Sequence, residues 1–368
     1  MTSAGPLSGI VVADFTRVLA GPYCTMLLGD MGAEVIKVER PGAGDDTRAW
    51  GPPYAPSGQS TYFAGVNRNK TTVGIDLSTP DGVQAARDLV DRADIVIENF
   101  KVGTLERLGL DYASVSAHHP GLIFCTISGF GSGEGRDLPG YDLLVQAMGG
   151  LMSITGPGPG EPTKVGVALV DVITGLHATV GVLAALHHRD ATGEGQRLEV
   201  NLLSSLLSGM VNQSSAYAAG GVVPGILGSA HPSISPYEVY ATADRPLIIA
   251  VGNDRQFASL AEVVGAPQLA SDARFVTNPE RVANRVALKE ELFGLLQAAG
   301  ADEWQQRLTA AGVPCGPIND IGQAFALADR LGLAPIVDAG GTPTVAHPIR
   351  FERTPATYRL APPDAPEA

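Results

Sequence analysis

The strongest constraint on this chain is an alternation of β-rich runs with helical patterns through its first half. "GIVVADF" (9–15) leads into "GPYCTMLLGDMGA" (21–33), and "EVIKVER" (34–40) follows. "TTVGIDL" (71–77) leads into "TPDGVQAARDLVDRA", where Thr79 suits the N-cap, Pro80 the first helical position and Asp81 the first turn. "DIVIENF" (94–100) and "GLIFCTISGFG" (121–131) come next. Strands recurring at intervals of about thirty residues, with helices between them, predict βαβ units in an α/β fold with a doubly wound parallel sheet.

From "GQRLEVNL" (195–202) the chain passes into "LLSSLLSGMVNQSSAYAAGG", read as one helix ending at Gly220–Gly221. A Gly/Pro/Ser-rich stretch, 220–236, reads as a linker or active-site loop. "YEVYATADRPLIIAVG" (237–252) reads as a hairpin turning at Asp244–Arg245, and helical patterns follow near 254–265, 279–299 and 302–311. The expected organisation is a large domain over 1–220, a small α+β domain over 221–320, and a return to the large domain over 321–368. The Pro/Ala-rich end, "APPDAPEA", is expected to fray.

Composition excludes several functions. A net charge of −13 without a Lys/Arg run argues against a nucleic-acid partner, although a few placed cations can still hold a small anion. Cys24, Cys125 and Cys315 show no CxxC spacing and the seven histidines no HExxH, which predicts no disulfide, no zinc and no metal catalysis. Val165–Leu186 is long enough for a membrane span. Asp171, Gly175, Gly181 and His177 interrupt it and no aromatic belt flanks it, so no membrane partner is expected. Without a signal-peptide pattern at the N-terminus, a cytoplasmic location is expected.

The first βα turn, "TRVLAGP", lacks GxGxxG, so the usual dinucleotide fingerprint is missing. Glu39, at the end of the second strand, stands where a ribose-binding acid would, with Arg40 beside it equally suited to phosphate. Asp171 heads the apolar run "VALVDVITGLHATVGVLAAL". It can be read as the cap of a helix beginning at Val172, or as a functional carboxylate, because an unpaired buried charge is costly. Asp171, Gly175, Ala178 and Val182 fall on one helical face, with Gly175 leaving room beside the carboxylate and the helix dipole favouring its ionised form. His177, about 240° around the helix, cannot pair with it and reads as packed or interfacial.

Several stretches together carry a resemblance: "PLSGIVVADFTRVLAGPYCTMLLGDMGAEVIKVERPGAGDDTR", "NRNKTTVGIDLSTPDG", "ADIVIENFKVGTLERLGL", "PGYDLLVQAMGGLMSITG", "KVGVALVDVITGLHATVGVLAAL", "TGEGQRLEVNLLSSL", "VGNDRQF" and "AGVPCGPIND". They run in order from residue 6 to about 320 and resemble the class III CoA-transferases, the CaiB/BaiF family. The resemblance implies a Rossmann-like large domain built from both chain ends, a smaller domain, and an interlocked homodimer. It places the nucleophile at Asp171, which would attack an acyl-CoA thioester and pass through anhydride and aspartyl-CoA intermediates. It implies CoA phosphates met by Arg40 and Arg107, with Val18, Ile75, Asn99 and Phe100 lining the nucleotide channel and Tyr141 near the thioester. The partners implied are an acyl-CoA, succinyl-CoA among the frequent donors, and a small carboxylic acid. CoA enters as a substrate, and no tightly bound cofactor is implied.

Four departures bear on that transfer. Arg17 and Leu19 stand where some members carry His and Gln; Pro139–Gly140 replaces a basic residue before the Tyr. "GILGSAHPSISPYE" occupies the region of a glycine-run lid, and a customary C-terminal segment is missing after Pro363, which predicts a looser end to the large domain. The α-methylacyl-CoA racemases share the fold and the aspartate but carry Gly-His-Asp where this chain has Gly140-Tyr141-Asp142. Proton abstraction needs a second acid/base, and a tyrosine is a poor one at neutral pH. The transferase is the favoured reading, the racemase the alternative, and a non-catalytic CoA-binding protein a further one.

Overall fold

A computed structural model describes residues 5–367. The chain divides into two compact units: one runs to Leu151 and adds Lys164–Val223 and the chain from Ala334 onward, and the other comprises Met152–Thr163 and Pro224–Leu333.

The first unit begins with β1 (Val11–Phe15), α1 (Ala20–Asp30), β2 (Glu34–Glu39), α2 (Thr61–Ala64), β3 (Lys70–Gly74) and α3 (Pro80–Arg92). Next come β4 (Ile95–Glu98), the short α4 (Thr104–Leu108) and α5 (Tyr112–Ser116), and β5 (Ile123–Ser128). The helices α6 (Asp142–Met148) and α7 (Leu169–Thr192) lead to β6 (Arg197–Asn201), α8 (Leu202–Gly209) and α9 (Val211–Gly220). The strands form one parallel sheet in the order β3-β2-β1-β4-β5-β6. Strand order reverses between β1 and β4, the position where open α/β sheets bind ligands beyond their strand C-termini. Alternate residues such as Phe15, Val38, Val96 and Phe124 bury one face with Ala86, Leu89 and Val90 of α3. The α3 start matches its sequence signals, with the Thr79 hydroxyl accepting the Gly82 N–H.

The helix α7 packs on α1, α8, β5 and β6. It is long and apolar enough to cross a membrane by length and composition, yet Val170, Ala178, Val182 and Leu186 are buried within this unit. Asp171, Gly175, Ala178 and Val182 do share the buried face. Gly175, however, does not leave open space: a Cβ there would lie 2.6 Å from the Ala20 carbonyl oxygen and 3.2 Å from the Tyr23 ring. The glycine permits close approach of α1.

The second unit holds β7 (Tyr237–Tyr240), β8 (Leu247–Ala250), α10 (Asp254–Val263), α11 (Asn278–Ala283), α12 (Arg285–Leu296), α13 (Ala301–Ala310), β9 (Cys315–Pro317) and α14 (Ile321–Arg330). β7, β8 and β9 form an antiparallel sheet over a core that includes Phe257, Phe275, Leu292 and Trp304. The hairpin β10 (Ile336–Ala339) and β11 (Thr342–Val345) belongs to the first unit.

Two sequence expectations need correction. The helix expected from 202 to 220 breaks at Met210, and Val211 turns to a φ of 37°. The C-terminal stretch is tied down rather than frayed. Arg48 donates to the Pro363 and Asp364 carbonyls, the Gly42 N–H donates to the Pro366 carbonyl, and Gln59 reaches Pro362. Upstream, the Asn69 amide oxygen accepts the Arg359 and Leu360 N–H groups. Backbone carbonyls and amides carry these bonds, so the side-chain pattern of a Pro/Ala tail gives no sign of them.

The polar core under β1 is ionic. Lys70 Nζ lies 3.1 Å from Asp14 Oδ2 and also donates to the Asn67 side chain and the Pro22 carbonyl. Lys37 Nζ lies 3.0 Å from Asp45 Oδ2 and donates to the Thr16 carbonyl. Burial raises the Asp14 carboxyl, but Lys70, Lys37 and the hydroxyls of Thr16 and Thr25 outweigh it and hold it at about 2. Removing one partner of a buried pair leaves an uncompensated charge. Lys70→Met should therefore lower unfolding free energy by roughly 3–5 kcal/mol in urea denaturation, whereas a change under 1 kcal/mol would show the pair to be dispensable.

Candidate active site

At the C-terminal end of β1 the chain makes a constrained turn. Asn99 clamps Arg17 from both sides, its side chain accepting the Arg17 N–H at 2.9 Å and donating to the Arg17 carbonyl at 2.8 Å. Val18 adopts a φ of 70°, an unusual conformation for a β-branched residue. Its N–H is aimed at the Asp45 carboxylate, 3.3 Å from Oδ2. Strain of this kind persists where surrounding bonds over-determine it, and the Lys37–Asp45 pair supplies that support.

Two cavities open around this turn. One, of about 380 Å³, is lined by Arg40, Ile75, Phe100 and Arg107, four of the expected site residues, together with Arg17 and Asp76. The other, of about 400 Å³, is lined by Val18, Asn99, Phe100, Tyr141 and Asp171, together with Arg17, Lys101, Arg136 and Asp142. Arg17 and Phe100 line both, and the Arg17 guanidinium lies 5.6 Å from the centre of the Phe100 ring. The expected residues thus separate into two groups that meet at this pair. Val18 and Asn99 line the Asp171 cavity and not the one that contains Arg40 and Arg107.

In the first cavity, Arg40 is exposed and pairs with Asp46 at 2.9 Å. Among the described residues the Arg107 guanidinium meets only the Thr104 hydroxyl, at 3.5 Å. Glu39 is not available to a ribose: it is buried against Arg48, the Thr72 hydroxyl and the Asp45 N–H. These donors outweigh the cost of its burial and hold its carboxyl below the ordinary value.

Asp171 is 9% exposed. It does not cap its helix. The helix starts at Leu169, its N-cap is Ala168, and no side chain of α7 makes the capping bond. Asp142 from α6 takes that place: its Oδ1 accepts the N–H groups of Val170 at 2.8 Å and of Asp171 at 3.2 Å. Among the described residues no hydrogen bond or ion pair to the Asp171 carboxylate occurs. Burial first, and the Asp142 charge second, push its carboxyl up to about 7. The expectation that the helix start favours its ionised form is overturned, because another carboxylate already occupies those amides.

Sequence reasoning missed the role of Asp142 and a second neighbour, Tyr62 of α2. The Tyr62 phenol is raised to about 12 by burial and by the charges of Asp171, Asp142 and Asp45, so it lies within their electrostatic reach. Asp142 carried one local signal, its place four residues before Gln146, whose side chain donates to it at 2.6 Å. Nothing local points to α7. Among the described residues no group of three His, Cys, Asp or Glu side chains converges as a metal site.

A cavity holding a buried carboxylate beside one that presents Arg17, Arg40 and Arg107, at the switch point of a parallel sheet, is where an α/β enzyme binds its ligand. The chain belongs to CoA-transferase family III, whose model matches residues 7–367. It is 45% identical to the succinate–glutarate CoA-transferase of Agrobacterium fabrum, covering 96% of this chain and 91% of that one. It is 40% identical to the human succinyl-CoA:glutarate CoA-transferase, over 89% of this chain and 74% of the relative. A crystal structure of a CaiB/BaiF family protein from Brucella suis superposes with a TM-score of 0.88 at 41% identity, covering 99% and 97% of the two chains.

The Asp171 environment predicts a pH-dependent stability. A carboxyl with a folded pKa of about 7, against an ordinary value of 3.8, holds its proton in the folded state over that interval and releases it on unfolding. Its contribution is present at low pH and is lost as pH rises through about 7. Asp171→Asn should therefore be more stable than the native chain at pH 8 by roughly 2–4 kcal/mol, with the difference vanishing near the unfolded pKa. Equal effects at both ends of the range, read by chemical denaturation, would contradict this environment.

Proposed function

We propose that this enzyme moves CoA from a dicarboxylic acyl-CoA, such as succinyl-CoA, to a free dicarboxylic acid of similar length through covalent intermediates on Asp171. The observation that carries the reading is the Asp171 carboxylate itself: buried, without a hydrogen bond or ion pair among the described residues, and on the wall of a cavity that no histidine lines. Such a group suits a nucleophile, whose lone pair must be unengaged.

From the ionised form of Asp171, which grows in as pH rises through about 7, the sequence of steps needs no proton transfer. An Asp171 oxygen attacks the thioester carbonyl carbon, the C–S bond breaks, and an aspartyl-acyl anhydride and CoA thiolate result. The thiolate attacks the Asp171 carbonyl carbon, releasing the donor acid as its carboxylate and leaving an aspartyl-CoA thioester. The acceptor carboxylate then attacks the carbonyl carbon of that thioester, its C–S bond breaks, and a second anhydride and CoA thiolate result. The thiolate attacks the acceptor's acyl carbon, forming the new acyl-CoA and restoring the Asp171 carboxylate. Leu19 and Ala20, at the amino end of α1, line the same cavity, and that end of the helix dipole favours an oxyanion.

Several features support the substrates. The relatives named above are a succinate–glutarate and a succinyl-CoA:glutarate CoA-transferase. Arg136 lines the Asp171 cavity and has no ion-pair partner among the described residues, which suits it to a second carboxylate. Arg40 and Arg107 suit the CoA phosphates, a local positive field on an acidic chain. The exposed apolar side chains Leu176, Val180, Leu207, Val211 and Tyr217 on α7, α8 and α9 support the interlocked homodimer. Two buried, unpaired cysteines, Cys24 and Cys125, fit a reducing cytoplasm.

Asp171→Asn should fold and bind CoA but lose transfer by several orders of magnitude, on the order of 10⁴-fold or more. Hydroxylamine with acyl-CoA should inactivate the native enzyme and label the Asp171 peptide in mass spectrometry. Near-native transfer by the Asn variant would end this mechanism. Deuterium uptake at the substrate α-carbon without label would point to the racemase reaction instead.

Arg40→Ala with Arg107→Ala should weaken CoA binding tenfold or more, at about 1.5–3 kcal/mol per charged hydrogen bond lost, and flatten its salt dependence. Unchanged calorimetric affinity would move the CoA phosphates elsewhere.

A further inference from the structure

The first turn of a helix leaves amide N–H groups without acceptors inside the helix, and a nearby carboxylate is the usual beneficiary. In α7 the catalytic candidate stands in that first turn and receives none of them. The Val170 and Asp171 amides both donate to Asp142 Oδ1, which belongs to a helix 28 residues earlier in the chain. The other Asp142 oxygen accepts the Gln146 side-chain amide at 2.6 Å. Gln146 is almost fully buried and in turn accepts the Val165 N–H at 2.9 Å. Two residues one turn apart on α6 therefore hold the segment entering α7 and the backbone of Asp171 itself.

We propose that Asp142 is the positioning residue of Asp171: it fixes the backbone of the nucleophile and withholds the helix-end amides from its carboxylate, keeping that carboxylate unsolvated and reactive. This rests on the reading of Asp171 as the nucleophile. A carboxylate that accepted those amides would be stabilised in its ground state, at the expense of its attack on a thioester.

The other titratable groups around Asp171 do not substitute for Asp142. Burial keeps the Tyr62 phenol of α2 and the Tyr23 phenol of α1 neutral at physiological pH. The Cys125 thiol of β5 is likewise held neutral by burial, and α8 carries no titratable side chain. Of the cations lining the cavity, Arg17 pairs with Asp46 and Lys101 with Asp137, leaving Arg136. Among the described residues, Asp142 is the carboxylate whose charge, after burial, pushes the Asp171 carboxyl up.

The test separates charge from capping. Asp142→Asn keeps a carbonyl oxygen for the two amides and removes the charge, whereas Asp142→Ala removes both. Each variant is compared with the native enzyme in the pH–rate profile of CoA transfer, thermal unfolding, CoA affinity and hydroxylamine labelling of Asp171. The Asn variant should retain CoA affinity, shift the acidic limb of kcat/KM to lower pH and lose about threefold to tenfold in plateau kcat. The Ala variant should lose about 100-fold or more in kcat with CoA affinity kept, because Arg40 and Arg107 line the other cavity. Should the Asn variant fail to fold, Asp142→Ser supplies a neutral cap read in the same way. A native pH profile and rate in the neutral variant, with Asp171 still labelled, would overturn the positioning role alone. Absence of label in the native enzyme would overturn the nucleophile reading and this proposal with it.

Discussion

The site depends on four charges buried under the first strand. Asp14 with Lys70 and Lys37 with Asp45 sit almost entirely out of water, where isolated charges would be prohibitively unfavourable. Their pairing alone does not explain their presence, since well-packed apolar residues often serve stability as well. Their additional bonds do. Lys37 holds the Thr16 carbonyl, Asp45 accepts the Val18 N–H, and Asp14 accepts the Thr16 N–H at 2.9 Å. An apolar core cannot hold a backbone turn by its polar atoms. The ionic one holds Thr16 and Val18, a valine in a left-handed conformation, on either side of the Arg17 that Asn99 clamps, and so sets the approach to α1.

The second constraint is the approach of α1 to α7. Gly175 lets the Ala20 carbonyl come close enough that any side chain there would collide with it. That contact brings the amino ends of two helices to one cavity, with opposite electrostatic outcomes. The α7 end is neutralised by Asp142, while Leu19 and Ala20 at the α1 end line the cavity without a side-chain cap. Under the proposed function, a nucleophilic carboxylate and a site for negative charge would therefore coexist, because each is served by a different helix.

Arg17 and Phe100 join the two cavities. Asn99 grips the Arg17 backbone, and the Glu98 carboxylate accepts the Phe100 N–H at 2.9 Å. Burial first pushes the Glu98 carboxyl up to about 7, against the lowering effect of its hydrogen bonds. The two cavities thus meet at one cation–ring pair set just beyond the ends of β1 and β4, which under the proposed function is where the nucleotide and acyl portions of an acyl-CoA would adjoin.

The sequence by itself determined the alternation of strands and helices, the Thr79 cap, the hairpin at Asp244–Arg245 and the helical face shared by Asp171, Gly175, Ala178 and Val182. These are signals within a few residues of one another, set by side-chain period and turn chemistry. Its motifs also singled out Asp171, Arg40 and Arg107. Only the tertiary structure decided that the site residues fall into two cavities, that Glu39 is consumed by Arg48, and that Gly175 is filled by α1 rather than open. It likewise showed the tail bound through its carbonyls. The exchange of roles between Asp142 and Asp171 lay beyond local reading for the same reason. A hydrogen bond from one helix's backbone to another's side chain leaves no periodic mark in the chain, and burial of a charge depends on every element that packs around it.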